Sequence, residues 1–204
     1  MPNTQNHYHH GDLKAAILKR ATEIIENDGI EALSLRGIAR DLGVSHGAPN
    51  RHFRTRAHLL SALATDGWEK MRNATRDAAE VEESDDPRDK LNAMGRGFLS
   101  WALQNRSTYL SAMHPEVSRY RDEALLEAME AFQLTIRTAV AAAQSAGRQP
   151  EVDNTLLSLF TISVPFGLAA MLIDSAQSPD ISEWETDELV ARLIDLVVPR
   201  SETV

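Results

Sequence analysis

The sequence predicts an all-α fold of about nine helices, and three observations carry that prediction. Apolar residues recur every three or four positions through most of the 204 residues, which gathers them on one side of a helix. No stretch alternates apolar and polar residues as a half-buried strand would. The breaks in the pattern fall at Gly29, Gly43, Gly147, Pro87, Pro115 and Pro199, or at a run of acids.

A first helix is expected over residues 11–28, with Leu13, Ile17, Ala21, Ile24 and Ile25 on one face and Gly29 as its stop. The stretch SLRGIARDLGVSHGAPNRHF, residues 34–53, then reads as two short helices around a tight turn. Ser34 caps the first, and its Leu35, Ile38, Ala39 and Leu42 face inward. Gly43 ends it, because glycine takes the left-handed backbone conformation that other residues resist. Val44 turns the chain inward, and Ser45 is placed to cap a second helix running to about Phe53. This is the spacing of a helix-turn-helix, which sets its second helix in a DNA major groove. Similar pairs of short helices occur in proteins that never meet nucleic acid, so the flanks matter. Here one helix precedes the pair and another follows at once, opened by Thr55, carrying Leu59, Leu60 and Leu63 and running to about Ala79.

Five acids in Glu80–Asp86 mark an exposed loop, and Asp86-Pro87 opens the next helix, since proline suits a first helical position. Its inward face is Leu91, Met94, Phe98 and Trp101. A short helix is expected over residues 107–113. From near Pro115 a single long one carries Leu125, Met129, Phe132, Ile136 and Val140 as far as Gly147. The helix over residues 153–174 is apolar nearly all round, through Leu156, Leu159, Phe160, Ile162 and Leu168, and is therefore expected to be buried on every side. Pro165 and Gly167 interrupt it and neither flank is basic, which argues against a membrane span. The last helix starts near Ser182, which forms a capping box with Glu185, and ends before Pro199. Its stripe is Trp184, Leu189, Val190, Leu193 and Val197.

The formal net charge of −9 conceals a division. Residues 1–60 hold eight Lys and Arg against six Asp and Glu, or +2, whereas residues 61–204 hold thirteen against twenty-four, or −11. Six of the seven histidines also lie in the first part. Such a division leaves one end to dock on a polyanion, although an acidic body also simply favours solubility. The chain lacks cysteine, which removes thiolate chemistry and disulfides from consideration. It shows no phosphate-binding glycine loop, nucleophile elbow or paired-histidine metal motif, so a helical enzyme is a remote alternative and no cofactor is expected. The polar start, without a basic run and apolar core, predicts a cytoplasmic protein. His7, His9 and His10 have no neighbouring carboxylate or cysteine to complete a metal site, and read instead as an arm lying against a DNA backbone.

Residues 9–63 resemble the N-terminal domain of the TetR family of bacterial transcriptional regulators. The residues that carry the likeness are the Gly29–Leu35 connection, Ile38-Ala39, Leu42-Gly43-Val44-Ser45, His52-Phe53, Arg56 and Leu59-Leu60. Tyr8-His9-His10-Gly11-Asp12-Leu13 and Gly47-Ala48-Pro49 resemble a subgroup whose C-terminal domain is named for a Trp-His-Gly signature. That signature is not intact here: Gly167 is present, but Phe166 stands where His is expected and Ile162 where Trp is expected. The resemblance implies a three-helix DNA-binding head over residues 1–60 and a helical-bundle body for ligand binding and dimerisation over residues 61–204. It further implies a homodimer on palindromic double-stranded operator DNA, acting as a repressor that a small-molecule effector releases. A DNA-binding regulator without such an effector, controlled by a protein partner or constitutive, is the alternative.

Within this reading each candidate residue has a task. Ser45, His46, Gly47 and Ala48 begin the second helix, whose N-terminal residues contact base edges. Gly47 and Ala48 are small enough for close approach, Ala48 can touch a thymine methyl, and His46 can donate to a purine acceptor. For Arg36 the resemblance implies a base or phosphate contact, worth about 1–3 kcal/mol if bidentate to guanine. Asn50, Arg51, His52, Thr55 and Arg56 are candidates for phosphate contacts, which fix position without reading sequence. Relatives usually carry Tyr at the place of Asn50. In the body, Trp68, Met71, Phe98, Trp101, Tyr109, Met113, His114, Phe132, Phe160 and Phe166 are candidates to line an effector pocket, plain core being the alternative for each. Phe166 in place of His turns a polar handle into an apolar wall, which suggests a hydrophobic or aromatic effector. His114 before Pro115 is either a polar contact or a helix cap. The resemblance also implies that the last two helices pack against their symmetry mates as a four-helix bundle, through Leu156, Leu159, Trp184, Leu189, Leu193 and Val197.

Overall fold

Helix ends in this protein follow the caps written in its sequence. The computed structural model describes residues 10–173 and 185–197, and among these are nine α-helices, two short 3-10 turns and no strand. They are α1 (His10–Asp28), α2 (Leu35–Asp41), α3 (Arg56–Glu80), α4 (Pro87–Gln104), α5 (Arg106–Ala112), α6 (Pro115–Arg119), α7 (Glu123–Ser145), α8 (Asn154–Ile173) and α9 (Thr186–Val197). The Ser34 hydroxyl accepts the Gly37 N–H at 3.0 Å and opens α2. Asp86 accepts the Arg88 N–H at 2.8 Å and, with Pro87, opens α4. Asp153 accepts from Thr155 and Leu156 and opens α8. At Gly43, where φ is 66°, the chain closes α2 with two bonds, Val44 N–H to Ala39 O and Gly43 N–H to Arg40 O. This is the Schellman closure, which requires a left-handed residue at that point.

Two compact units share the chain. The first holds α1, α2, the start of α3 up to Gly67, and residues 107–125 with α5 and α6. Its core is Ile17, Ala21, Leu33, Ile38, Ala39, Phe53, Leu59 and Leu60, all buried. Each large member contributes about 1.5–3 kcal/mol by leaving water. Arg20 braces α1 to α2, its Nε and Nη2 donating to Asp41 at 3.0 and 2.9 Å. The charge pattern placed a boundary near residue 60. Packing groups residues by contact rather than by chain order, and it joins 107–125 to the head.

The second unit holds the rest of α3 from Trp68, α4, the bulk of α7, α8 and α9. Helix α4 packs against both α8 and α9. Phe98, Leu99, Phe132, Ile136, Val140, Leu157, Ala169 and Ile194 are buried there. Asn92, itself buried, donates to Asp195 of α9 and accepts from Arg96, which in turn reaches Glu82 at 2.9 Å. This polar relay fixes the register of α9 on α4.

Three expectations need correction. The second helix of the helix-turn-helix is not an α-helix: residues 46–48 form a turn and Pro49–Arg51 a 3-10 turn, without a side-chain cap from Ser45. Proline has no N–H, so Pro49 cannot donate to the Ser45 carbonyl and the first α-helical bond is unavailable. The Ala48 N–H takes that carbonyl instead, at 2.9 Å. The long helix expected from Pro115 is two, because Tyr120 is extended and Asp122 starts α7 afresh by accepting the Leu125 N–H at 3.0 Å. Helix α8 is not buried on every side. Leu157, Thr161, Pro165 and Ala169 face inward, but Leu156 (63% exposed), Leu159, Phe160 (53%) and Met171 face out. Helix α8 is long and apolar enough to cross a membrane by length and composition, with a mean hydropathy of 2.2. Ser182 and Trp184 lie outside the described residues, as do His7, His9 and the side chains of His10 and Val197.

Candidate nucleic-acid interface and effector cavity

Between Asp41 and Asp66 the chain carries no carboxylate, yet it carries Arg51, Arg54 and Arg56. The Gly43 turn delivers this segment to the surface, and Pro49 and Phe53, both buried, pin its underside. Bonds from Arg51 N–H to Ala48 O (3.3 Å), His52 N–H to Pro49 O (3.0 Å) and Phe53 N–H to Pro49 O (2.9 Å) hold it closed. Ser45, His46, Gly47, Asn50 and Arg51 are exposed, while Ala48 and His52 are half-buried. Arg36 is exposed on α2, one residue from the capped Gly37. Neither Arg36 nor Arg51 is in an ion pair among the described residues, nor is Arg54, an exposed cation that the sequence reading missed. Its place in the acid-free run was the available signal. The nearest carboxylate along the chain, Asp41, is already engaged by Arg20 and Arg40, and the Arg20 hydrogen bonds hold it below the usual carboxylate range. The result is an exposed cationic surface with small residues at its centre, suited to a phosphate backbone and a groove.

Arg56 has a different task from the phosphate contact expected of it. Its Nη2 donates to Ile30 O at 2.7 Å, its Nε to Leu33 O at 3.1 Å and its Nη1 to Glu116 of α6. A guanidinium with these partners is a structural clasp. Thr55 caps α3 through its hydroxyl, which accepts the His58 N–H at 3.3 Å and meets His58 Nδ1 at 2.7 Å.

The second unit contains an apolar cavity of about 30 Å³, room for one or two waters. Phe98, Phe132 and Phe166 line it, with Phe98 and Phe166 stacked at 4.5 Å between ring centroids. Trp68 packs behind them, 5.4 Å from Phe132 and 5.8 Å from Phe166. Ile162 and Phe166, the two departures from the Trp-His-Gly signature, both stand on its wall. Met71 is fully buried and Trp101 half-buried, but neither is on the wall. Phe160 is on the outward face of α8 beside Leu156 and Leu159. Periodicity could not separate these faces, because α8 is apolar on both. Tyr109, Met113 and His114 belong to the first unit. Burial pushes the Tyr109 phenol up to about 12, and His114 Nδ1 caps α6 by accepting the Glu116 N–H. The wall residues not anticipated as such include Met94, Gly95, Thr75 and Thr161. The two threonines, polar residues inside apolar runs, were the signal for them. Leu189 and Leu193 on α9 are half-buried, and Leu196 is 80% exposed.

Comparison with known proteins agrees with this arrangement. The family described as bacterial regulatory proteins, tetR family, matches residues 17–63, and a tetracyclin repressor-like C-terminal domain matches residues 91–197. The HTH-type transcriptional regulator Rv1816 of Mycobacterium tuberculosis is 29% identical over 93 residues, 46% of this chain and 40% of that regulator's length. The match therefore spans less than half of that relative. A solved protein of unknown function from Rhodococcus sp. RHA1 is 30% identical, with 95% of this chain and 97% of the other covered at a TM-score of 0.80. AibR, solved in complex with isovaleryl coenzyme A and operator DNA, shares the fold at 18% identity and a TM-score of 0.67, over 91% of this chain and 98% of its own.

Proposed function

Because this chain belongs to the tetR family of bacterial regulatory proteins, we propose that it is a ligand-responsive transcriptional repressor. It binds palindromic operator DNA as a cytoplasmic homodimer and leaves it when a small hydrophobic effector enters the second unit. The observation that carries the reading is the acid-free exposed segment, where Arg36, Arg51 and Arg54 surround Ser45, His46 and Gly47. Phosphate contacts from the arginines would fix register, and the small residues would let the backbone approach base edges. The outward apolar face of α8, with Leu156, Leu159 and Phe160, and Leu189 and Leu193 of α9 support the dimer. Two heads reading two half-sites about one DNA turn apart supply the surface that one head lacks. The cavity supports an effector, and AibR is a protein of this fold bound to both a coenzyme A thioester and operator DNA. An effector that binds one conformation better lowers operator affinity, and by linkage operator lowers effector affinity by the same factor. The cavity's small volume favours a second reading, a regulator that answers to no small molecule.

Gel shift on the DNA upstream of its own gene, over a salt series, tests the proposal. The expected result is a sequence-specific shift that weakens steeply with salt and is lost in Arg36→Ala and in Arg51→Ala. Absence of any DNA binding, even at low salt, refutes it.

A further inference from the structure

We propose that the effector is a hydrophobic acid, with its apolar body among Phe98, Phe132 and Phe166 and its carboxylate received by Arg148 and Thr161. This rests on reading the cavity as the effector site. Thr75 and Thr161 are the cavity's polar wall residues, and the Thr75 hydroxyl is spent on the Met71 carbonyl at 2.7 Å. Thr161 instead accepts from Arg148 Nη1 at 3.4 Å, a long bond that a better acceptor can replace. Arg148 follows Gly147 in the turn between α7 and α8, and its residue is only 6% exposed. Burial pushes its pKa down, yet a guanidinium stays charged in a protein. A buried cation one hydrogen bond behind an apolar wall favours an anion on the other side of that wall, because low dielectric strengthens the attraction.

Ser158 adds an independent observation. It is 2% exposed, and its hydroxyl has no hydrogen-bond partner among the described residues. It lies three residues before Thr161 on the same inward face of α8. A buried hydroxyl left unmatched is costly unless a ligand completes it. Arg148, Thr161 and Ser158 thus gather donors at the α7–α8 end of a cavity that is otherwise aromatic and aliphatic. A carboxylate with an apolar tail matches both parts, whereas a neutral apolar molecule matches one.

Calorimetric titration of the full chain with two matched pairs, phenylacetate against 2-phenylethanol and octanoate against octanol, tests this. The acids are expected to bind about tenfold or more tightly than the alcohols, as a charge-assisted hydrogen bond implies. Arg148→Gln should erase that preference while leaving alcohol affinity within about twofold. Where circular dichroism shows Arg148→Gln to be unfolded, Thr161→Val, which keeps the side-chain shape, carries the test with the same expected direction. Alcohols that bind as well as the acids, or a preference that survives both substitutions, overturn the acid proposal and leave the effector site standing. If none of the four probes binds, the cavity is not an effector site and both readings fall.

Discussion

Arg56 and Glu116, sixty residues apart in sequence, are joined side chain to side chain within one unit. The same guanidinium holds the carbonyls of Ile30 and Leu33, so one side chain ties α3, α6 and the connection between α1 and α2. Arg56→Ala should therefore lower the stability of the head by about 2–3 kcal/mol, since it strands two carbonyls and a carboxylate. Arg36→Ala should melt like the parent protein and lose only DNA binding. Thermal unfolding and gel shift on both variants separate the two roles, and an Arg56→Ala protein of parental stability would remove the clasp from the account.

The Arg20–Asp41 brace predicts a particular response to acid. Hydrogen bonds from Arg20 hold the folded-state pKa of Asp41 below its ordinary value. Its contribution is then complete above about pH 4 and is lost as pH falls through the folded-state value. Asp41→Asn should melt below wild type at pH 7, and the gap should narrow at pH 3. A gap that stays constant across that range would show that the pair's charge is irrelevant.

Gly97 marks the closest approach of α4 to α3. A Cβ there would fall 2.8 Å from the Ala74 carbonyl oxygen and collide with the Ala78 methyl, and neither can swing aside. Gly97→Ala should cost about 1–3 kcal/mol even though alanine is the better helix former. Denaturant titration would report it as a lower midpoint with unchanged slope.

Gly47 offers the opposite case. A Cβ built there meets nothing within 4 Å, so a larger side chain is free to sit in solvent. Gly47→Leu should leave the melting temperature unchanged and weaken operator binding about tenfold or more, by blocking approach to the groove. Operator affinity equal to the parent's would move the contact surface away from the Ser45–Ala48 turn.

The features legible in the sequence were those with a local cause. Ser34, Asp86-Pro87 and Gly43 each act on the backbone within a few residues, and helices begin or end where they stand. Pro49 was equally local, but the loss of its N–H was outweighed in the reading by the helix-turn-helix spacing around it. What could not be read depended on partners distant in sequence. Nothing near Arg56 announces Glu116, and nothing in the spacing of Phe160 distinguishes its face of α8 from that of Thr161. A helix with apolar residues on all sides carries no directional signal, and only the placement of α4 and α9 decides which side is inside.

Phe160→Glu extends that point to assembly. Placing a charge at the centre of the outward face of α8 should convert the proposed dimer to monomer in sedimentation at micromolar concentration, because an unpaired carboxylate there would be buried between subunits. A dimer that persists would place the interface elsewhere.

The outward face of α8 also sets a condition on the protein's abundance. If a second copy covers Leu156, Leu159, Phe160 and Met171, the folded state is a bimolecular product, and its melting temperature climbs with protein concentration. Dilution then works against this chain twice: it empties the operator, and it leaves lone subunits whose apolar helix invites chaperones and proteases. The number of copies in a cell would have a floor, below which the regulator is cleared as a damaged protein before it can act as a scarce one.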